Sequence, residues 1–176
     1  EKLLFSLPLA GSAFRKIYYD PSLGRPTSMF VPAEDFVVAY NEADLEQAER
    51  YTHVMNRSTN QIKKLQVSGF YRDVELQTGF IQDNPITDKY NDIGGVKPSY
   101  DKEDRHQLLE MHTDVDLVGF EDDDGVALPY VITIDKSSDT ILSIYRNWSE
   151  DDEHRAKKQH FVHYGYVPGI GFYNLG

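Results

Sequence analysis

Glu110, His112, Asp114 and Asp116 stand at alternate positions of the stretch LLEMHTDVDLVGF. Carboxylates and an imidazole are ligands for divalent cations, and a bound ion of that kind activates water for hydrolysis. Alternate residues of a strand share one surface, but neighbours along it lie roughly 7 Å apart. One ion cannot be shared across that spacing without help from another element. The set therefore reads as a solvated acidic sheet face, with a metal-dependent hydrolase on His112, Asp114 and Asp116 as the last alternative. Leu109, Met111, Val115 and Leu117 hold the opposite phase and are expected to cover a core.

Other candidate chemistry is thinner. EDDDG (Glu121 to Gly125) concentrates oxygen ligands but lacks the spaced positions and closing glutamate of a calcium loop, and reads as a turn. Serines, histidines and aspartates are numerous, yet no G-x-S-x-G elbow, phosphate-cradling loop or dinucleotide fingerprint is present. The chain reads as non-enzymatic, with no catalytic, cofactor-binding or metal-ligating residue assigned and no cofactor expected. In HFVHYGYVPGIGFYNLG, residues Phe161, Tyr164, Tyr166, Phe172 and Tyr173 could stack on bases or sugars. The nearby cations Arg155, Lys157 and Lys158 sit behind four acids, and aromatics at strand spacing serve cores and interfaces. Core is the preferred reading, with a carbohydrate- or peptide-binding β-rich module as the rival function.

The elements that must position these residues follow from pattern and punctuation. Leu3 to Ala13 is apolar and fits the end of a helix. FRKIYYD reads as a strand, DPSLGRP as a turn, and SMFVPAEDFVVAY as two extended pieces broken at Pro32. Asp44 to Arg50 fits a helical turn and YTHVMNRS a strand. Ser58 or Thr59 caps a short helix over NQIKKLQVSG, with Ile62 and Leu65 on one face and Gly69 as the stop. FYRDVELQ fits strand or helix equally. Residues 82–105 form a long loop or lobe insertion within a single domain, 1–176. LPYVITI, DKSSD and TILSIYRNW make a hairpin, and QHFVHYGYVP returns as a strand. The class is α+β, mainly antiparallel sheet with a few short helices.

Charge and composition narrow the functions. The net charge of −11 argues against a surface that grips phosphates. Zero cysteines remove disulfides, thiol catalysis and sulfur-bound zinc. No apolar run approaches the roughly 18 residues of a spanning helix, so no membrane partner is expected. Glu1 and the absence of a basic region before LLFSLPLAG make a signal peptide a poor reading, and the chain reads as a trimmed piece. Charge is also segregated. Arg50 to Arg72 carries Arg50, Arg57, Lys63, Lys64 and Arg72 without an acid, whereas Asp101 to Gly125 carries ten acids against Lys102 and Arg105.

Several of these stretches together resemble the portal proteins of tailed bacteriophages, in the subgroup with long chains. PYVITIDKSSDTILSIYRNW and HFVHYGYVPGIGFYNLG carry the likeness, and LPLAGSAFRKIYYDPSLGRPTSMFVPAEDFVVAY and ERYTHVMNRSTNQIKKLQVSGFYRDVEL precede them in the family's order. The likeness covers nearly the whole chain apart from residues 82–105. It implies a wing-region segment of a structural protein that forms a ring, usually of twelve subunits, at the capsid vertex in the virion after assembly in the host cytoplasm. Implied partners are further copies of itself, the packaging terminase, capsid or scaffolding proteins and tail connectors. DNA would pass through the ring without gripping this segment. The isolated piece is expected to be monomeric. In a ring each subunit meets the next through two different patches. Arg57, Lys63 and Lys64 on one side, and Asp114, Asp116, Asp122, Asp123 and Asp124 on the other, are the candidate intersubunit contacts; folding of the two segments within one subunit is the alternative.

Overall fold

Strand β1 (Ser12–Asp20) begins with buried Ser12, Ala13 and Phe14 and alternates from there, with Phe14, Lys16 and Tyr18 on one face and exposed Arg15, Ile17 and Tyr19 on the other. This is the structure of the protein as a computed structural model, and it describes residues 2–20, 24–76, 89, 92–93, 95 and 105–176. The segment predicted as a loop or lobe at 82–105 therefore falls almost wholly outside the described residues. Before β1, helix α1 (Lys2–Ala10) ends at Gly11, whose N–H donates to Leu7 O at 2.8 Å. Gly11 has φ +73°, and a Cβ there would lie 2.0 Å from Asn174 O, so only glycine fits.

β1 is the centre of a three-stranded antiparallel sheet, between β2 (Arg25–Pro32) and β8 (Phe161–Gly165). The register sets Phe14 opposite Val31 on one side and His163 on the other. β2 is an edge strand and carries prolines at Pro26 and Pro32, where a missing N–H does least harm. A 3₁₀ turn at Ala33–Asp35 bends the chain into β3 (Phe36–Val38). The second sheet orders β3, β4 (Arg50–Ser58), β5 (Arg105–Val115), β6 (Leu128–Asp135) and β7 (Thr140–Arg146). The α+β, mainly antiparallel class holds. The predicted helical turn before β4 is present, with Ala48 N–H donating to Asp44 O at 3.0 Å. No helix among the described residues is long and apolar enough to cross a membrane.

Contacts divide the chain into two compact units: Glu1–Val54 with Glu110–Ile132 and Ile144–Gly176, and Met55–Leu109 with Thr133–Ser143. The first is built on aromatic packing. Phe14, Val31, Phe36, Leu45, Ala48, Tyr51, Phe161 and Phe172 form its core. Phe14 stacks on Phe36 at 4.0 Å and on His163 at 4.7 Å between ring centroids.

The second unit packs Met55, Ile62, Tyr71, Leu108 and Leu142 around α2 (Thr59–Val67). Ser58 caps that helix by accepting from Gln61 N–H, while the Gln61 side chain accepts from Ser58 N–H. At the other end Gly69 N–H donates to Gln66 O and Phe70 N–H to Leu65 O, a Schellman closure with Gly69 at φ +77°. FYRDVEL becomes neither strand nor helix. Instead, the buried Gln66 amide donates to Arg72 O and Val74 O, and Arg72 N–H donates to Leu142 O, which holds the stretch extended. The predicted hairpin is β6–β7, and its DKSSD turn closes on Asp135. That carboxylate accepts from Ser137 Oγ, Ser138 Oγ and Ser138 N–H at 2.6, 2.7 and 3.0 Å, all at Oδ2.

Candidate functional site

Strand β5 keeps the predicted period of two but turns its faces over. His106, Leu108, Glu110 and His112 are buried, whereas Leu109, Met111 and Val115 are only half-buried. The solvated acidic face expected from Glu110 and His112 is thus corrected: both are buried, with distant Lys16 pairing Glu110 and Glu110 in turn bonding His112. Lys16 Nζ lies 2.5 Å from both Glu110 oxygens, with each side chain 12 % exposed. His112 Nε2 donates to Glu110 Oε1 at 3.0 Å, and its ring stacks on Tyr51 at 4.8 Å and meets Phe161 edge-on. A buried ion pair is tolerated when both charges are matched and hydrogen-bonded, as here.

The electrostatics of this cluster follow from burial and partners. Burial alone would raise the Glu110 carboxyl, but the His112 hydrogen bond and the Lys16 ammonium hold it well below the ordinary carboxylate range. Burial pushes His112 below its ordinary value against the pull of Glu110. Burial does the same to His160, helped by His112 and Lys16. His160 Nε2 donates to Asn147 Oδ1 at 2.7 Å, and the Asn147 amide donates to Lys158 O. Tyr51 is pushed far above its ordinary value by burial and by Glu110. Among the described residues no three His, Asp or Glu side chains converge as metal ligands. Asp114 and Asp116, the rest of the alternate set, are exposed at the end of β5.

Asp114, Asp122, Asp123 and Asp124 do come together. With Glu153 they line an open groove of about 510 Å³ in the first unit, whose apolar wall is Val126 to Pro129. EDDDG is a turn, as expected: Gly125 has φ +69° and its N–H donates to Asp122 O. Asp122 accepts from Arg155, and Lys157 donates to Ala48 O, so both groove cations are already engaged. Burial raises the Asp114 carboxyl, with Glu49 adding to that and Lys157 opposing it. An elevated carboxyl at a groove wall is a group whose charge an added cation would stabilise. Val118, Phe120 and Val126 are exposed at 93 %, 62 % and 56 %, which puts apolar surface on the same loop.

Of the predicted basic residues, Arg57, Lys63, Lys64 and Arg72 lie in the second unit and Arg50 in the first. Lys63 and Lys64 are exposed on α2, with Lys63 Nζ 2.8 Å from the still more exposed Asp73. Such a surface pair contributes little and exchanges readily. Arg57 is half-buried on β4, its guanidinium 3.8 Å from Met55 Sδ. The closing aromatics divide as follows: Phe161 and Phe172 are in the core, Tyr164 is half-buried, and Tyr166 and Tyr173 are exposed. The Tyr173 hydroxyl donates to Phe36 O.

Sequence reading missed Lys16 as the partner of Glu110, 94 residues away. Its one signal was a lysine in the phase of Phe14 and Tyr18 in FRKIYYD, an amphipathic position on an otherwise aromatic face. No protein-family model matches the chain, and no curated protein matches it.

Proposed function

We propose that the chain is a wing-region segment of a tailed-phage portal protein, a structural element of the ring through which DNA is packaged and ejected. The observation that carries this reading is the order of the resembling segments along nearly the whole chain. Those segments supply the elements that build the two cores: PYVITIDKSSDTILSIYRNW forms the β6–β7 hairpin, and HFVHYGYVPGIGFYNLG supplies β8, Phe161 and Phe172. The role is mechanical and adhesive, with further copies of the chain, terminase, scaffolding or capsid proteins and tail connectors as partners.

Neighbouring subunits would meet through the carboxylates of the groove and the ammonium groups of α2. A ring interface needs two unlike patches on each subunit. Both charge sets are presented on exposed side chains, Lys63 and Lys64 on one and Asp123 and Asp124 on the other. Charge of this kind sets encounter rate and register more than affinity. In the full-length protein, Lys63→Glu with Lys64→Glu is expected to lower the yield of closed rings at least several-fold by electron microscopy, with subunit folding intact by circular dichroism. Rings at unchanged yield would reject the contact.

A further inference from the structure

Three side chains from separate stretches of the second unit stand in line, the first two joined by a hydrogen bond and the last two by an electrostatic approach. Thr59, the first residue of α2, has Oγ1 3.3 Å from His106 Nε2. On the other side of the imidazole, His106 Nδ1 lies 3.4 Å from Asp135 Oδ1. His106 and Asp135 are 1 % and 0 % exposed, while Thr59 is at the surface. The carboxylate is divided in its duties: Oδ2 takes all three donors of the hairpin turn, while Oδ1 and His106 Nδ1, facing each other, have no hydrogen-bond partner among the described residues. A carboxylate facing Nδ1 keeps the proton there, which leaves Nε2 as an acceptor for the Thr59 hydroxyl. Nucleophile, base and orienting acid in that sequence are the arrangement that activates a hydroxyl, and distances a few tenths of an ångström long are usual before a ligand is bound.

Thr59 also has somewhere to act. It opens on a surface pocket of about 510 Å³ lined by residues 56–61 and Arg105. Arg57 and Arg105 make that lining cationic, in a chain whose net charge is −11. The first-turn amides of α2 have no carbonyl partner within the helix; Gln61 N–H is taken by Ser58, and Asn60 N–H is the next along.

We propose that Thr59 is an activated acyl acceptor, a modification site that reacts with acyl esters or thioesters bearing a negative charge. In the step, Thr59 Oγ1 bonds to the acyl carbon as the donor's carbon–oxygen or carbon–sulfur bond breaks. The hydroxyl proton passes to His106 Nε2 and from there to the departing alkoxide or thiolate. Nothing is oxidised or reduced. Asp135 is a positioning residue that holds the imidazole in register. This chemistry goes beyond the assembly role and does not depend on it.

The probe is 4-nitrophenyl hydrogen succinate, an anionic activated ester, with 4-nitrophenyl acetate as its neutral counterpart. The expected result is 4-nitrophenolate release with succinylation at residue 59 by peptide mass spectrometry, faster for the anionic ester. Thr59→Val should abolish acylation at residue 59, and His106→Gln should lower its rate about 100-fold, the usual size of a general-base contribution. Thr59→Ser restores it, and Asp135→Asn lowers it while the Thr59 hydroxyl remains. Turnover without a lasting adduct, lost in Thr59→Val, supports the same nucleophile. Should His106→Gln not fold by circular dichroism, the near-isosteric Thr59→Val and the Thr59→Ser rescue decide. Acylation confined to lysines, or a rate unchanged in Thr59→Val, overturns the proposal.

Discussion

Replacing Lys16 with methionine is expected to destabilise the protein by about 3–5 kcal/mol, because it leaves a buried carboxylate without its cation. Lys16 and Glu110 are each 12 % exposed and 2.5 Å apart, and His112 is the other group hydrogen-bonded to that carboxylate. Urea unfolding of the two proteins measures the difference. The double variant Lys16→Met with Glu110→Met should recover most of it, since a buried pair is close to neutral against apolar side chains of similar volume. The pH dependence has a defined sign. Folded Glu110 titrates below its unfolded value of 4.5, so its contribution is complete above that pH and is lost as acid is added below it. His112, His160 and His163 are also held below their ordinary 6.5, so the unfolded chain takes up their protons first and stability begins to fall below that pH. Asp114 and Asp35, raised in the folded state, oppose this. The gap between wild type and Lys16→Met should be widest at pH 7 and shrink below pH 4.5, where protonation relieves the stranded carboxylate. A constant gap would contradict the buried pair.

Phe14→Ala is the second large effect, again about 3–5 kcal/mol, as for a fully buried aromatic truncated in a packed core. Phe14 is 0 % exposed and contacts four rings: Phe36, His163, Phe172 and Tyr173. Those rings come from β3, β8 and the closing segment, so one truncation opens a void that no single element can move to fill. Chemical denaturation is again the measurement. Phe14→Leu, which retains most of the volume, should lose clearly less. Equal losses for the two would mean that shape, rather than buried volume, dominates the site.

Much of the fold was legible because it is local. Ser58 to Gly69 carries its own cap and stop, and the β6–β7 hairpin has two β-branched runs around a polar turn. Strand β5 shows where locality ends. Its alternation is plain in sequence, but alternation gives the phase of a strand, not which phase is buried, when both carry apolar residues. The deciding partners of Glu110 and His112 are Lys16, Tyr51 and Phe161, which are remote in the chain. FYRDVEL resisted assignment for a related reason: a side chain, Gln66, holds it rather than a backbone ladder. The acids of the groove were visible as a charge run, whereas Arg155 and Lys157, which complete the lining, arrive some 30 residues later. Thr59, His106 and Asp135 give no motif at all, since three separate segments bring them together.

Zero-length carbodiimide cross-linking of full-length rings assembled from mixed light- and heavy-isotope subunits probes the assembly claim most directly. Lys63 or Lys64 is predicted to join a carboxylate among Asp114, Asp122, Asp123 and Asp124, in peptide pairs that combine light with heavy chains. Rings in which those residues link only light to light and heavy to heavy would place the contact inside one subunit and contradict the account.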